Sequence, residues 1–367
     1  MRKLVLCVCA ACLVRGAGGA AESRTESERT GIARFALEPG PLVLTREAAP
    51  WRHIEALGEQ AGIWGAAGGT LEAWVYPWKL FDRFELAFST DGGKTFRPAR
   101  DLARVQTAAP HMAQLRLADD RFAATVTLFA PLRLAALAVL LDIETSAELL
   151  IAARFRPSLA PMQMAPPARL VTDYDEARGE IAAVDPEGGA VLRAGSPFAV
   201  GREALPGGLE ELRLRVTPVD ALRWFVPILW GLKHPLRPEL EGAVDELRAR
   251  MEAHFAVAAA YYGALLAEAP AVFSPDEEVN AALAWSVVSL AQLRVRNPFL
   301  GPGLVSGYGP SGDGTRPRYC WFFDEPTLSS WALLRLGRGD LVREAFTFLQ
   351  RYQREDGKTV HEVAQSL

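Results

Sequence analysis

The hydrophobic period changes once along this chain, near residue 235, and that change limits what each half can fold into. Before it, "TLEAWVYP", "RFELAFST", "QLRLADD" and "ELRLRVTP" alternate apolar and polar residues between Gly, Asp and Pro breaks. A period of two sends alternate side chains to a core and to water, so these are strands. After it, Val244, Leu247, Met251, Phe255, Ala258, Tyr262 and Leu265 follow in steps of three and four. That spacing lines one face of a helix and predicts a single long amphipathic helix over 236–270. The patterns together predict an all-β sandwich of two large sheets over 35–235, a linker helix, and a helical region from 271.

Three stretches need arbitration. "LRLAALAVLLDIETSAELLIAARF" is apolar enough for a buried helix, but its Asp-Ile-Glu-Thr-Ser interruption favours a two-stranded ribbon. "LRWFVPILWGL" contains Pro227, is too short to cross a membrane, and reads as a buried strand or turn. "STDGGKTF", Ser89 to Phe96, fits the Asp-box of sialidase propellers but occurs once, so it is read as a tight hairpin at Asp91-Gly92-Gly93.

Beyond the long helix, Ser274 and Glu277 form a capping box with Pro275 in the first turn, and Pro298 ends that helix. Gly301 to Tyr319 is rich in Gly and has no Gly-Lys-Ser/Thr, so it predicts a lid or rim rather than a phosphate cradle. A further helix is expected from about Pro326, broken at 337–339. The next, capped by Asp340 with Leu341, Ala345, Leu349 and Tyr352 inside, completes an αα-hairpin.

Chemistry concentrates in "RPRYCWFFDEPTLSSWALL", Arg316 to Leu334. Asp324 and Glu325 precede Pro326 and an apolar run, which suits a helix N-terminus. Tyr319, Trp321, Phe322 and Phe323 also offer a platform for the C–H face of a sugar, with the two carboxylates accepting its hydroxyl hydrogens. Either role is compatible with the other. Tyr308, Asp313 and Arg316 are the polar and aromatic members of the preceding loop. His361-Glu362 lacks the second His that a zinc protease needs at Gln365, so it is expected to be a rim contact. No nucleophile elbow, Cys/His metal cluster or dinucleotide fingerprint occurs, and neither metal nor cofactor is expected. A net charge of −4 with no Lys/Arg run argues against nucleic acid.

"MRKLVLCVCAACLVRGAGGAAE" has the basic start, apolar core and small residues of a signal peptide, which predicts 1–21 as removable and the protein as secreted or periplasmic. A lipoprotein anchor at Cys12 is the alternative, with Cys9 where Leu is expected. Residues 22–34 read as a mobile polar linker. Of four cysteines only Cys320 lies outside the signal, so no internal disulfide is expected, and its aromatic neighbours predict burial.

Two sets of motifs then carry a resemblance. "PGLVSGYGPSG…RPRYCWFFDEPTLSSWALL…GDLVREAFTFLQRYQREDGKTVHEVAQS" resembles six-hairpin (α/α)6 glycosidases of the glycogen-debranching, amylo-α-1,6-glucosidase-like type, related to glycoside hydrolase family 63. "WRHIEALGEQAGIWG…GTLEAWVYPWKLFDRFELAF" is similar to the start of their N-terminal domain, and "FSPDEEVNAALAWS" to their first barrel helix. The resemblance implies an α+β multidomain fold: a β-supersandwich over 35–235, a linker helix over 236–270, and the first hairpins of an incomplete barrel over 271–367. It implies hydrolysis of α-glucosidic bonds with inversion, and an oligo- or polysaccharide partner of the α-glucan class. Trp321, Phe322 and Phe323 match the family's Trp-Phe-Phe. Asp324 stands where Gly is expected, Glu325 where Arg or Gly is, and Pro326 where an Asp grips the sugar. The candidate substrate contacts are Tyr308, Arg316, Trp321, Asp324, Glu325, His361 and Glu362. The family's acid and base lie in later hairpins, so neither is assigned here and the chain is expected to be a truncated copy. Adjacent Asp324 and Glu325 are poorly placed for an inverting pair, whose carboxyls stand roughly 6.5–9.5 Å apart. A non-catalytic carbohydrate-binding protein or a decayed gene product remains the alternative.

Overall fold

The computed structural model describes residues 32–68, 71–162, 169–218, 223–311, 322–323 and 326–364. Two large antiparallel sheets fill the part before the change of period. One runs in the order β1 (Leu44–Glu47), β7 (Ala103–Ala109), β8 (Met112–Ala118), β9 (Phe122–Phe129), β10 (Ala136–Thr145), β17 (Arg223–Lys233), β14 (Val191–Gly195), β13 (Glu180–Val184) and β12 (Val171–Asp175). The other runs β15 (Ala199–Leu205), β16 (Leu209–Val216), β11 (Leu149–Pro161), β5 (Trp78–Ser89), β4 (Leu71–Val75), β3 (Ala61–Ala66) and β2 (His53–Leu57), with β6 (Arg97–Pro98) also on β5. The sheets face each other across aromatic side chains. Trp230 of β17 lies 5.2 Å from Phe81 and 5.3 Å from Phe84 of β5.

The expected ribbon over 132–155 is corrected. Both halves are strands, but β10 pairs with β9 and β17 while β11 pairs with β5 and β16. The connection therefore carries the chain from one sheet to the other. β10 is almost entirely buried because the second sheet covers one face and helix covers the other, which explains its unbroken apolar run. Pro227 sits inside β17, opposite Leu140, beyond the point where the β14 ladder ends at Gly195 and Leu229. With a neighbour on one side only, the strand tolerates a residue that lacks an N–H.

The long helix is also corrected: it is a 3-10 turn (Pro238–Leu240), α1 (Ala243–Ala249) and α2 (Met251–Glu268), broken at Arg250 with φ −132° and ψ 33°. All seven residues of the apolar stripe are buried. α1 packs on β17 and β10. Its approach depends on Gly231, where an added Cβ would stand 2.3 Å from Val244 Cγ2. The expected linker over 22–34 stops short of Ile32, which is buried in the core, and of Arg34, whose guanidinium donates to Asp142 at 3.0 Å.

In α3 (Glu277–Gln292) the cap is Asp276, not Ser274. Asp276 accepts from the amides of Glu278 and Val279, while the Ser274 hydroxyl holds the Asp276 backbone. The helix ends at Gln292 rather than at Pro298, and β18 (Arg294–Asn297), where its last turn was expected, pairs with β19 (Gly301–Leu304), where loop was expected. Asn297 Oδ1 closes its turn by accepting from the amides of Phe299 and Leu300. α4 (Pro326–Arg335) and α5 (Gly339–Gln350) pack as a helical hairpin. Arg338 holds the cap position of α5, and Asp340 is paired to it at 2.9 Å instead of capping. Two short strands, β20 (Phe322–Phe323) and β21 (Glu362–Val363), complete the described fold. At the Asp-box turn, Asp91 accepts from Ser89 Oγ and the Thr95 amide, with positive φ at Gly92 and Gly93. Among the described residues no helix is long and apolar enough to cross a membrane.

Candidate functional site

Ile63, Ala73 and Val75 of β3 and β4 face the core between the sheets, so alternation sends Trp64 and Trp74 to the opposite face. That face is not left to water. The β18–β19 hairpin, Val305, Phe322 and α5 cover it with Val295, Leu300, Phe348 and Leu349. Trp64 and Trp74 stack at 6.2 Å with 2° between their planes, and Tyr76 lies 6.5 Å from Trp64. Tyr308 continues the group, 5.3 Å from Trp64 and 6.1 Å from Tyr76, and its hydroxyl donates to the Gln292 carbonyl at 3.0 Å. Tyr308 is half-buried, with one part of the ring committed to this packing.

Beside the aromatics lies a buried ionic cluster. Glu72 and Lys79 are each 1% exposed and Asp82 5%. Lys79 Nζ is 3.0 Å from Asp82 and 3.6 Å from Glu72, and it donates to Ser311 Oγ at 2.8 Å. Arg156 meets Asp82 through two bonds of 2.8 Å. Glu72 accepts from Trp74 Nε1 at 3.0 Å, from the Ser311 amide at 3.0 Å and from the Ser311 hydroxyl at 2.7 Å. Two carboxylates, an ammonium and a guanidinium balance formally. Removing such charges from water is expensive unless every partner is in place, and here they are.

A second cluster ties the sheet to the helices. Glu59, 4% exposed, accepts from Arg294 at 2.6 Å and Arg296 at 2.5 Å, with Arg133 at 3.5 Å. Arg294 also grips Glu344 of α5 through two bonds of 2.7 Å. The hydrogen bonds it donates to Glu344 hold the Arg294 guanidinium above its ordinary pKa.

The pairing of β20 with β21 sets Phe322 opposite Val363 and Phe323 opposite Glu362. It brings the His361-Glu362 segment to the aromatic run, a juxtaposition the sequence does not announce. His361 and Glu362 are both exposed there. Val363 and Tyr308 border the same apolar cluster, so these candidates share one region. The four-aromatic platform needs correction at Phe322. It is 1% exposed and packs 4.2 Å from Phe348, so it offers no face to a ligand. Arg316, Trp321, Asp324 and Glu325 lie outside the described residues, as do Asp313, Tyr319, Cys320 and Gln365.

Glu72, Lys79, Asp82 and Ser311 are the participants that sequence reasoning missed. Lys79 carried a usable signal, because a cation set between apolar Trp78 and Leu80 at the start of a strand requires a buried partner, and Asp82 stands three residues on. Chemically, the region offers the exposed His361 and Glu362 groups, able to hydrogen-bond a polyhydroxylated ligand, and the half-buried Tyr308 ring at the border of the same apolar cluster.

No protein-family model matches the chain. No curated protein sequence matches it either. Among solved structures it is similar to a bacterial glucoamylase complexed with acarbose, at TM-score 0.59 and 11% identity over 89% of this chain and 53% of that one. It is more distantly similar to a putative kojibiose phosphorylase from human microbiome, at TM-score 0.46 and 6% identity over 72% and 43% of the two chains. A family 92 glycosyl hydrolase follows at TM-score 0.37 and 11% identity over 71% and 43%. At these identities the likeness is one of fold, and of these three structures it is the glucoamylase that carries it. The chain spans about half the length of that structure.

Proposed function

We propose that this chain is part of a carbohydrate-active protein of the glycoside hydrolase type, acting on α-glucosidic bonds by the inverting route of the debranching enzymes it resembles. In this proposal the two sheets are a β-supersandwich domain over 35–235. Residues 236–270 are its connector, and 271–367 begin an (α/α)6 domain whose mouth carries Tyr308, Arg316, Trp321, Asp324, Glu325, His361 and Glu362. The observation that carries it is the Phe323–Glu362 pairing, which sets the exposed His361 and Glu362 beside the Phe322–Phe323 strand. The fold likeness to a glucoamylase whose structure holds acarbose supports an α-glucan ligand. Secretion through a signal peptide at 1–21 belongs to the same proposal, and that segment lies outside the described residues.

Binding without turnover is favoured by one departure. Pro326, where the resemblance expects the sugar-gripping Asp, is instead the first residue of α4. Incubating the purified protein with maltose and glycogen and following free glucose separates the two. Release of β-glucose supports the inverting hydrolase, whereas saturable binding with no release leaves only the binding protein.

A further inference from the structure

We propose that Glu72 and Lys79, both on the β sheet, are positioning residues for the sugar site, acting through Ser311; this rests on the α-glucan reading of the mouth. Within its own sheet Glu72 has one hydrogen-bonded partner among the described residues, Trp74 Nε1. Its other bonds come from Ser311, whose amide reaches both carboxylate oxygens at 3.0 Å and whose hydroxyl reaches one at 2.7 Å. A carboxylate that is 1% exposed is thus shaped around a serine far along the chain. It reads both the backbone and the side chain of that serine. Lys79 holds the same hydroxyl from the other side at 2.8 Å and compensates the charge.

The consequence is geometric. Ser311 is pinned to β4 and β5, and three residues earlier the Tyr308 ring lies on Trp64 and Tyr76 of the same sheet. Both ends of the 308–311 segment are therefore set by the sheet. The Tyr308 hydroxyl is tied to the end of α3 as well. The placement of Tyr308, which the proposed site assigns to the sugar, is thus set in part by the β sheet. Burying three ionic side chains for this purpose is costly, and within the sheet itself Asp82 is already satisfied by Arg156.

The test is a double-mutant cycle on acarbose affinity with Glu72→Gln and Ser311→Ala, at a temperature where all variants are folded by circular dichroism. Each single variant is expected to weaken acarbose about tenfold, and the double variant by clearly less than the product of the two, because both weaken the one Glu72–Ser311 contact. Hydrogen exchange supplies a readout that needs no ligand: Glu72→Gln should speed amide exchange over 305–311 and leave β10 and β17 unchanged. Additive losses, or unchanged affinity in the single variants, overturn the positioning role. If wild type binds no acarbose, the sugar reading falls and this proposal with it. The exchange result then shows whether Glu72 still orders the segment for some other purpose.

Discussion

Phe323 faces Glu362 across a two-residue antiparallel ladder, and Phe322 faces Val363 beside it. The pairing does two things at once. It buries Phe322 against Phe348 in the apolar cluster beneath, and it leaves His361 and Glu362 exposed next to the aromatic run. Phe322 and the opposed Val363 meet the apolar cluster, while Glu362, one residue along, is exposed, as alternation in a two-stranded ladder requires.

If Phe322 is an anchor, truncating it must cost stability. Phe322→Ala should lower the unfolding free energy by about 3–5 kcal/mol, the usual cost of deleting a buried phenyl ring. Urea unfolding followed by intrinsic fluorescence measures it. Trp331→Ala is the control, since Trp331 is 76% exposed on α4 and should change stability by no more than about 0.5 kcal/mol.

Gly231 sets how closely α1 approaches the sheet. Gly231→Ala places a methyl group where Val244 Cγ2 now sits, and a Val side chain cannot swing far enough to clear it. The expected loss is about 1–3 kcal/mol. Adding Val244→Ala should recover part of it, so thermal unfolding of the pair distinguishes this clash from a general effect of strand glycine.

Glu59, nearly dry itself, holds the largely buried Arg294 and the more exposed Arg296. Glu59→Gln leaves Arg294 with Glu344 as its remaining carboxylate and Arg296 partly in water, and should cost about 1–3 kcal/mol. Arg133→Gln, which removes the 59% exposed member of the same cluster, should cost less than about 1 kcal/mol. Denaturant midpoints for the two variants provide the comparison.

His111 packs edge-on against Phe255 at 4.9 Å and bonds the Glu38 carbonyl. Burial holds its pKa below the ordinary 6.5, so the unfolded chain takes up the proton first. Its contribution to stability is complete above pH 6.5 and is lost as the pH falls from there toward the lower folded value. His234 is lowered in the same sense, burial again being the larger cause. His111→Gln should therefore flatten, without abolishing, the fall in melting temperature between pH 7 and pH 5.

The sequence made some of this legible and concealed the rest for definable reasons. The stripe from Val244 to Leu265 was readable because helical burial follows a local period. The break at Arg250 was not, since no Pro or Gly marks it and the flanking bonds from Arg250 N to Glu246 O and from His254 N to Arg250 O survive. β10 and β11 were recognisable as strands, but which sheet each joins depends on partners distant in sequence. Asp276 displaced Ser274 as a cap because two competent residues lay two apart, and only the backbone conformation decides between them. At the site, Tyr308, His361 and Glu362 were visible as residue types. What supports them was not, because the Glu72–Ser311 bond joins positions that no local pattern relates.

The most direct test of the central claim is a calorimetric titration of acarbose into the purified protein, alongside its Glu362→Ala variant. Glu362 is exposed, so the variant should fold as wild type does. An α-glucan site at the Phe323–Glu362 edge predicts saturable binding with a dissociation constant at or below about 1 mM, weakened in the variant. A flat wild-type titration, or equal affinity in both proteins, contradicts it.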